Sequence, residues 1–185
     1  MAEPFGGVVL TGGRSERMGR DKALLELDGE SMATRVTRAV RDAGAVGVVC
    51  VGGDAPALRA LGLVVIDDEH PDAGPLGGLL TGLAQADGPI TLIAPCDLVA
   101  PSAPPLRALV DALAMSDVLA AVPIVDGHWR PLPAAVRTSA HAPLAAAFAA
   151  GERAIRRAME QLSIVALDVG PLADADTPED LPGHR

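Results

Sequence analysis

Three short apolar runs, at residues 8–10, 46–51 and 63–66, alternate with stretches of helical period across the first third of the chain. A continuous run of β-branched residues reads as a strand buried on both faces. Between the first two runs, Ser31 can cap a helix in which Met32, Val36, Ala39, Val40 and Ala43 recur at helical spacing, with Gly44 as the stop. Residues 55–61 form a second, shorter helix. The order strand-helix-strand-helix-strand predicts a parallel sheet joined by right-handed crossovers, and little else can accommodate it.

The pattern continues. A helix over 76–86 carries Leu79, Leu80 and Leu83, and a fourth strand at 89–94 follows it. Pro104 and Pro105 fit the first turn of a helix with Leu106, Leu109, Val110 and Leu113 on one face. A strand is expected at 118–125, then an Asp126-Gly127 turn and an extended arm over 131–136. Prolines 131 and 133 suit an edge position for that arm, not a sheet centre. Helices over 142–150, stopped by Gly151, and 152–162, with Ile155, Met159 and Leu162 inward, precede a last strand at 163–167. Thr177-Pro178-Glu179-Asp180 has the form of a helix start. The expectation is one domain over 1–185.

Composition narrows the function. Aromatic residues are only 2% of the chain, so the core must be built from Ala, Val and Leu, and base-stacking recognition of single strands is disfavoured. A net charge of −9 argues against nucleic acid and against an anionic membrane surface. No signal segment precedes the first strand and no apolar run approaches the ~18 residues that span a bilayer, which points to the cytoplasm. Cys50 and Cys96 lack metal-ligand spacing and read as small core residues.

Within this acidic chain the segment from Gly6 to Lys22 is a basic exception. The first strand ends at Leu10-Thr11-Gly12-Gly13, and Arg14, Arg17, Arg20 and Lys22 follow. Glycines there let backbone N–H groups approach a phosphate, and the cations suit its oxygens. The segment is neither a P-loop nor a dinucleotide fingerprint, because it lacks both spacings. A surface turn with solvated arginines is the alternative. Lys22 is the single lysine among fifteen basic residues, and a compact ammonium suits triphosphate oxygens.

Two further loops carry carboxylates. Asp97 in Pro95-Cys96-Asp97 can hold Mg²⁺ or can cap a helix starting near Ser102. Asp67 and Asp68 end the third strand and read either as ligands or as a solvated pair. Loops 11–22, 67–74 and 95–98 would meet at the carboxyl edge of the sheet, where open α/β sheets bind ligands.

The stretch Leu-x-Gly-Gly-x-Ser-x-Arg-Met-Gly-x-Asp-Lys-x-Leu-Leu, standing ungapped from Leu10 to Leu25, resembles the signature loop of nucleotidyltransferases that build molybdenum cofactor dinucleotides. Among them the chain is most similar to the molybdenum cofactor guanylyltransferase family. The resemblance implies a three-layer α/β/α, Rossmann-like nucleotidyltransferase fold with a mostly parallel sheet. It also implies transfer of GMP from GTP to the terminal phosphate of molybdenum-bound molybdopterin, with release of pyrophosphate. Residues 1–98 would form the nucleotide half and 99–185 the acceptor half.

By the same resemblance Leu10, Thr11, Gly12, Gly13, Lys22, Asp68, Gly74, Pro75 and Leu76 would bind the nucleotide, with Asp67 as the rival of Asp68. Lys22, Arg17 and Asp97 would act in catalysis, and Asp97 would hold the Mg²⁺. Ala150-Gly151-Glu152-Arg153 resembles a helix junction associated with the pterin side, where Arg156 and Arg157 could neutralise the acceptor's phosphate. GTP, molybdopterin and molybdoenzymes or their chaperones are the implied partners.

Departures fall mostly on the acceptor side. Asp174-Ala175-Asp176 stands for Asn-x-Asn, and Arg130-Pro131 for His-Pro. On the nucleotide side, Thr11 replaces Ala, and Gly52-Gly53 stands where Asn can occur. The rival functions are the same transfer with CTP or a sugar-1-phosphate acceptor, and a nucleotide-binding module without turnover.

Overall fold

The computed structural model describes residues 3–12 and 21–172. The chain opens with β1 (Phe5–Leu10), and a 3-10 turn at Lys22–Leu24 leads to a hairpin of β2 (Glu26–Leu27) and β3 (Glu30–Ser31). Next come α1 (Met32–Asp42), β4 (Val48–Val51), α2 (Ala55–Ala60), β5 (Val65–Ile66), α3 (Pro75–Ala84) and β6 (Ile90–Pro95). The remainder is α4 (Ala103–Ala114), β7 (Ala120–Val125), β8 (His128–Trp129), β9 (Ala134–Arg137), α5 (His141–Ala149), α6 (Ile155–Met159) and β10 (Ile164–Asp168). The cap expected at Ser31 is formed, its Oγ accepting from Thr34 N at 3.2 Å, and Asp54 caps α2, its Oδ1 accepting from Ala57 N at 3.0 Å.

The main sheet has the order β10-β7-β9-β6-β1-β4-β5, with β8 paired to β7. β1 is buried along its whole length and pairs in parallel with β4 and β6, while β5 extends the β4 side in parallel. Side chains of successive strand residues leave opposite faces. Val9, Cys50, Leu92, Ala121 and Ala135 therefore pack with α1, α2 and α4, whereas Val8, Val51, Ile93, Val122 and Val136 pack with α3, α5 and α6. The result is the expected three-layer α/β/α arrangement around a mostly parallel sheet. The layer contacts are made mostly by Ala, Val and Leu, as the low aromatic content required.

Two expectations need correction. The arm after the Asp126-Gly127 turn is not an edge. β9 lies inside the sheet and is antiparallel to both β6 and β7. Pro131 and Pro133 precede the strand, so Ala134 to Arg137 keep their N–H groups for both neighbours. The expected helix over 152–162 is cut to α6. Glu152 turns its carboxylate back to accept from Arg153 N and Ala154 N, each at 2.8 Å, which holds the first residues out of the helix. Ile155, Met159 and Leu162 are buried as anticipated. The helix start expected at Thr177 and the Asp174-Ala175-Asp176 segment lie outside the described residues.

Candidate nucleotide site

Strand register brings the three loops together. Leu10 pairs with Val51 and with Pro95, and Val51 pairs with Ile66. Two residues beyond these pairs, Gly12, Gly53, Asp97 and Asp68 stand along one edge of the sheet. The helices that follow must start from this edge, so it is a crevice between loops, as parallel sheets require.

On one side of Gly12 lies a cavity of about 330 Å³, lined by Leu10, Gly12, Val51, Asp68, Asp72, Gly74, Pro75 and Gly78. Its floor is aliphatic and backbone, with two carboxylates at the rim. Asp68 is held firmly. Its Oδ1 accepts from Thr81 Oγ1 at 3.0 Å and from His70 N at 2.9 Å, while Thr81 Oγ1 accepts from Glu69 N at 3.1 Å. Gly74 is the N-cap of α3 at φ 81°, ψ 179°, a conformation nearly restricted to glycine. That backbone turns the loop so that Pro75 and Gly78 face the cavity.

A backbone seam floors the opening. The hydroxyl of Thr11 donates toward Gly52 O at 2.8 Å and Val51 O at 3.0 Å. Val51 O also accepts from Thr11 N and Gly12 N. A Cβ on Gly53 would lie 2.9 Å from Thr11 O, and one on Gly52 3.1 Å from Gly12 Cα. The two loops touch main chain to main chain, and side chains there would force them apart.

On the other side of Gly12 is a second cavity of about 240 Å³ that shares Leu10, Gly12 and Pro75 with the first. Asp21, Lys22, Cys96, Asp97 and Leu132 line it. Lys22 Nζ lies 3.5 Å from Asp97 Oδ2, and their side chains are 19% and 24% exposed. Lys22 is aimed there by Asp21, whose Oδ1 accepts from Ala23 N at 2.9 Å and whose Oδ2 accepts from Asp54 N at 3.1 Å. Asp21 thus ties the turn that carries Lys22 to the start of α2. Beside it Cys96 is buried. Burial, reinforced by the charges of Asp97 and Asp21, pushes its thiol pKa far up and leaves it inert.

The sites anticipated from sequence divide clearly. Leu10, Thr11, Gly12, Lys22, Asp68, Gly74, Pro75 and Asp97 all line the joined cavities. Asp97 faces Lys22, while the cap position of α4 is held by Ser102. Asp67, with its side chain 91% exposed, points to Arg59 at 3.8 Å, so Asp68 is the carboxylate at the base-sized cavity. The Leu76 side chain is fully buried among the residues packing α3 on the sheet, not in the cavity lining. Gly13, Arg14, Arg17 and Arg20 lie outside the described residues. Sequence reading passed over Asp21 and Thr81. Asp21 stands just before a short helical run, the ordinary place for a capping carboxylate. Thr81, on a buried helix face, carried no local signal. Arg153 packs on Phe148, with its guanidinium 4.0 Å from the ring centroid, and Arg156 on Trp129 at 4.3 Å.

Residues 7–165 match the model of the MobA-like NTP transferase domain. The chain belongs to the MobA-like NTP transferase family. It is 42% identical over 166 residues to the molybdenum cofactor guanylyltransferase of Burkholderia vietnamiensis, covering 81% of this chain and 78% of that protein. With the molybdenum cofactor guanylyltransferase of Pseudomonas syringae pv. syringae the identity is 35% over 179 residues, covering 92% and 88%. Among solved structures, molybdopterin-guanine dinucleotide biosynthesis protein A from Archaeoglobus fulgidus superposes with a TM-score of 0.74 at 24% identity, over 89% of this chain and 83% of that one. At that identity the likeness speaks for the fold. As a member of this family the chain is a nucleotidyltransferase. Among the described residues no helix is long and apolar enough to cross a membrane.

Proposed function

We propose that the chain transfers GMP from GTP to the terminal phosphate of molybdopterin carrying molybdenum, forming the guanine dinucleotide cofactor and pyrophosphate. One observation carries this reading: a base-sized cavity with an aliphatic and backbone floor opens directly into a smaller one holding the Lys22–Asp97 pair. The first suits a purine and the second a triphosphate. The names of the relatives supply the acceptor.

The residues fit a hard divalent cation. Asp97 offers a partly exposed carboxylate, and among the described residues no cluster of three or more His, Cys, Asp or Glu could cage an ion. With Asp21 beside it engaged by backbone N–H groups, Asp97 is the carboxylate open to an ion, and this suits Mg²⁺, which keeps waters and takes its remaining ligands from phosphates. When bound, the ion would screen the charge of the triphosphate oxygens.

No covalent intermediate on the protein is needed. An oxygen of the acceptor's terminal phosphate attacks the α-phosphorus of GTP, a new P–O bond forms, the bond to the β-phosphate bridging oxygen breaks, and pyrophosphate leaves with the electron pair. The protein's task is to align two polyanions and compensate charge. In this reading Lys22 contacts the phosphates over the Gly12 backbone, whose N–H is held by Val51 O, with Arg17 from the adjoining segment. Asp21 keeps Lys22 in place. Asp68, fixed by Thr81 and His70, and the Gly74-Pro75 turn hold the nucleoside. Residues 99–185 supply the acceptor side, with Leu132 reaching the phosphate cavity. Molybdoenzymes or their chaperones would receive the product.

The test is incubation with Mg²⁺, molybdopterin and each of GTP, CTP and ATP, with pyrophosphate release followed and the product weighed by mass spectrometry. A guanine dinucleotide formed at a rate well above the cytosine and adenine analogues is expected. Equal rates with CTP would remove the guanine assignment. Turnover only with a sugar-1-phosphate would remove the acceptor. Tight GTP binding without pyrophosphate release would make the chain a binding module.

A further inference from the structure

The loop over 67–74 carries Asp68 and Gly74 to the base-sized cavity, and it is braced from two directions. From beneath, α3 holds it through Thr81 and through Gly77, where a Cβ would come within 2.8 Å of His70 Cβ. From above, it meets the elbow between α5 and α6, a part of the chain far away in sequence. The His70 ring lies 4.7 Å from the Phe148 ring, centroid to centroid, at an interplanar angle of 44°. Arg153 packs its guanidinium on the same Phe148 and donates from Nη1 to Phe148 O at 2.7 Å and Glu152 O at 2.8 Å. Its backbone also comes close to the loop: a Cβ on Gly74 would lie 3.5 Å from Arg153 O.

The placement is specific. The chain has only three aromatic residues, two Phe and one Trp, and one of them sits at this contact. A tilted ring pair and a guanidinium on an aromatic face favour one geometry, whereas an aliphatic contact would let the loop slide. His70 is also the residue whose N–H fixes Asp68, so the ring contact is one step from the cavity.

We infer that Phe148 and Arg153, on the α5–α6 elbow, are positioning residues for the nucleotide. Through His70 and Gly74 they hold the 67–74 loop in the form that binds the base and ribose. The elbow serves the nucleotide pocket, although by sequence it belongs to the acceptor half. This rests on the reading of the larger cavity as the GTP site.

The test uses the full-length protein and the variants Phe148→Ala, Phe148→Leu and Phe148→Tyr. Phe148→Ala is expected to raise KM for GTP about tenfold, equivalent to ~1.4 kcal/mol. Its kcat at saturating GTP and its KM for molybdopterin should stay near wild type. Phe148→Tyr should restore KM, and Phe148→Leu, which keeps bulk without a π face, should fall between. Amide hydrogen exchange over 67–74 should speed up in Phe148→Ala and stay unchanged over 95–98. A purely structural role would lower the amount of active enzyme, hence kcat, and leave KM where it was. That result, or a Leu variant equal to Tyr with unchanged exchange, would overturn the inference. Gly78→Val, which fills the larger cavity, separates it from its premise. If Gly78→Val leaves GTP affinity intact, the cavity is not the GTP site. If Gly78→Val abolishes binding while Phe148→Ala leaves KM unchanged, only the role of the elbow fails.

Discussion

Replacing Gly74 by alanine tests whether the turn before α3 is strained for the sake of the pocket. Space is not the obstacle, because the new methyl would meet Arg153 O at 3.5 Å, an ordinary contact. The obstacle is φ 81° with ψ 179°. Holding an L-residue there costs about 1–3 kcal/mol. Each kcal/mol lowers Tm by about 2–4 °C in a chain of this size. If the backbone keeps its form, Gly74→Ala should melt about 2–12 °C lower and bind GTP normally. If the loop relaxes to negative φ, the loss of stability shrinks and Pro75 and Asp72 leave the cavity. KM for GTP then rises by at most about 150-fold, the ratio that 3 kcal/mol allows. The two losses trade against one another, so melting with and without GTP, combined with KM, measures their sum. Gly74→Asn gives no rescue, since Asn tolerates left-handed helical backbone but not this ψ. An alanine variant with wild-type Tm and wild-type KM refutes the account.

Other outcomes follow from the same geometry. Lys22→Ala should lower turnover about a hundredfold, and Lys22→Arg should also be impaired, because a planar fork does not replace a point charge; near-normal GMP transfer by both would remove Lys22 from the site. Asp97→Asn should melt within about 4 °C of wild type, since its partly exposed pair with Lys22 is worth ~0–1 kcal/mol, yet its residual rate should need more Mg²⁺; an unchanged Mg²⁺ titration would shift the metal to another carboxylate. Thr11→Val should lower stability by about 0.5–1.5 kcal/mol as Gly52 O loses its donor, with Thr11→Ser restoring it, and equal melting of Val and Ser variants would show the hydroxyl to be idle. Burial raises the thiol pKa of Cys50 and Cys96, so their contribution is complete below the unfolded thiol pKa of about 8.5 and is lost as pH rises above it, for the strongly shifted Cys96 by ~1.4 kcal/mol per pH unit. Chemical denaturation from pH 8 to 10 should show this fall, and a Cys50→Ala/Cys96→Ala variant that falls equally steeply would contradict it.

Much of the fold was legible because its signals are local. The apolar runs around Val8, Val49 and Ile93 declare buried strands, and Ser31 and Gly151 mark helix ends through nearby backbone groups. The place of β9 was not legible. Whether a strand is central depends on which strands approach it, and Pro131 and Pro133 gave a warning that applied only to residues before it. Glu152 hid the true start of α6, because a glutamate inside a helical pattern and one turned back on its own backbone share the same neighbours in sequence. At the site, Lys22, Asp97 and the Gly74 turn stood out by chemistry and composition. The bond from Asp54 N to Asp21, the brace of Thr81 on Asp68 and the contact of Phe148 with His70 join residues distant in sequence, where no motif marks them. Leu76 illustrates the reverse case: a residue inside a functional stretch can spend its side chain entirely on the core.

The pairing of Lys22 with Asp97 has a practical corollary. Every other basic side chain of the protein except histidine is a guanidinium, so the one side-chain primary amine of the molecule sits at the mouth of the phosphate cavity. Reagents that seek amines (acylating dyes, cross-linkers, coupling resins) find nothing else among its side chains to react with. Attached in that way, the protein would be tethered through its own crevice. A fluorophore placed there would watch the nucleotide arrive from inside the site, and a surface sensor coupled through that side chain, not through the α-amine, would be blind to it.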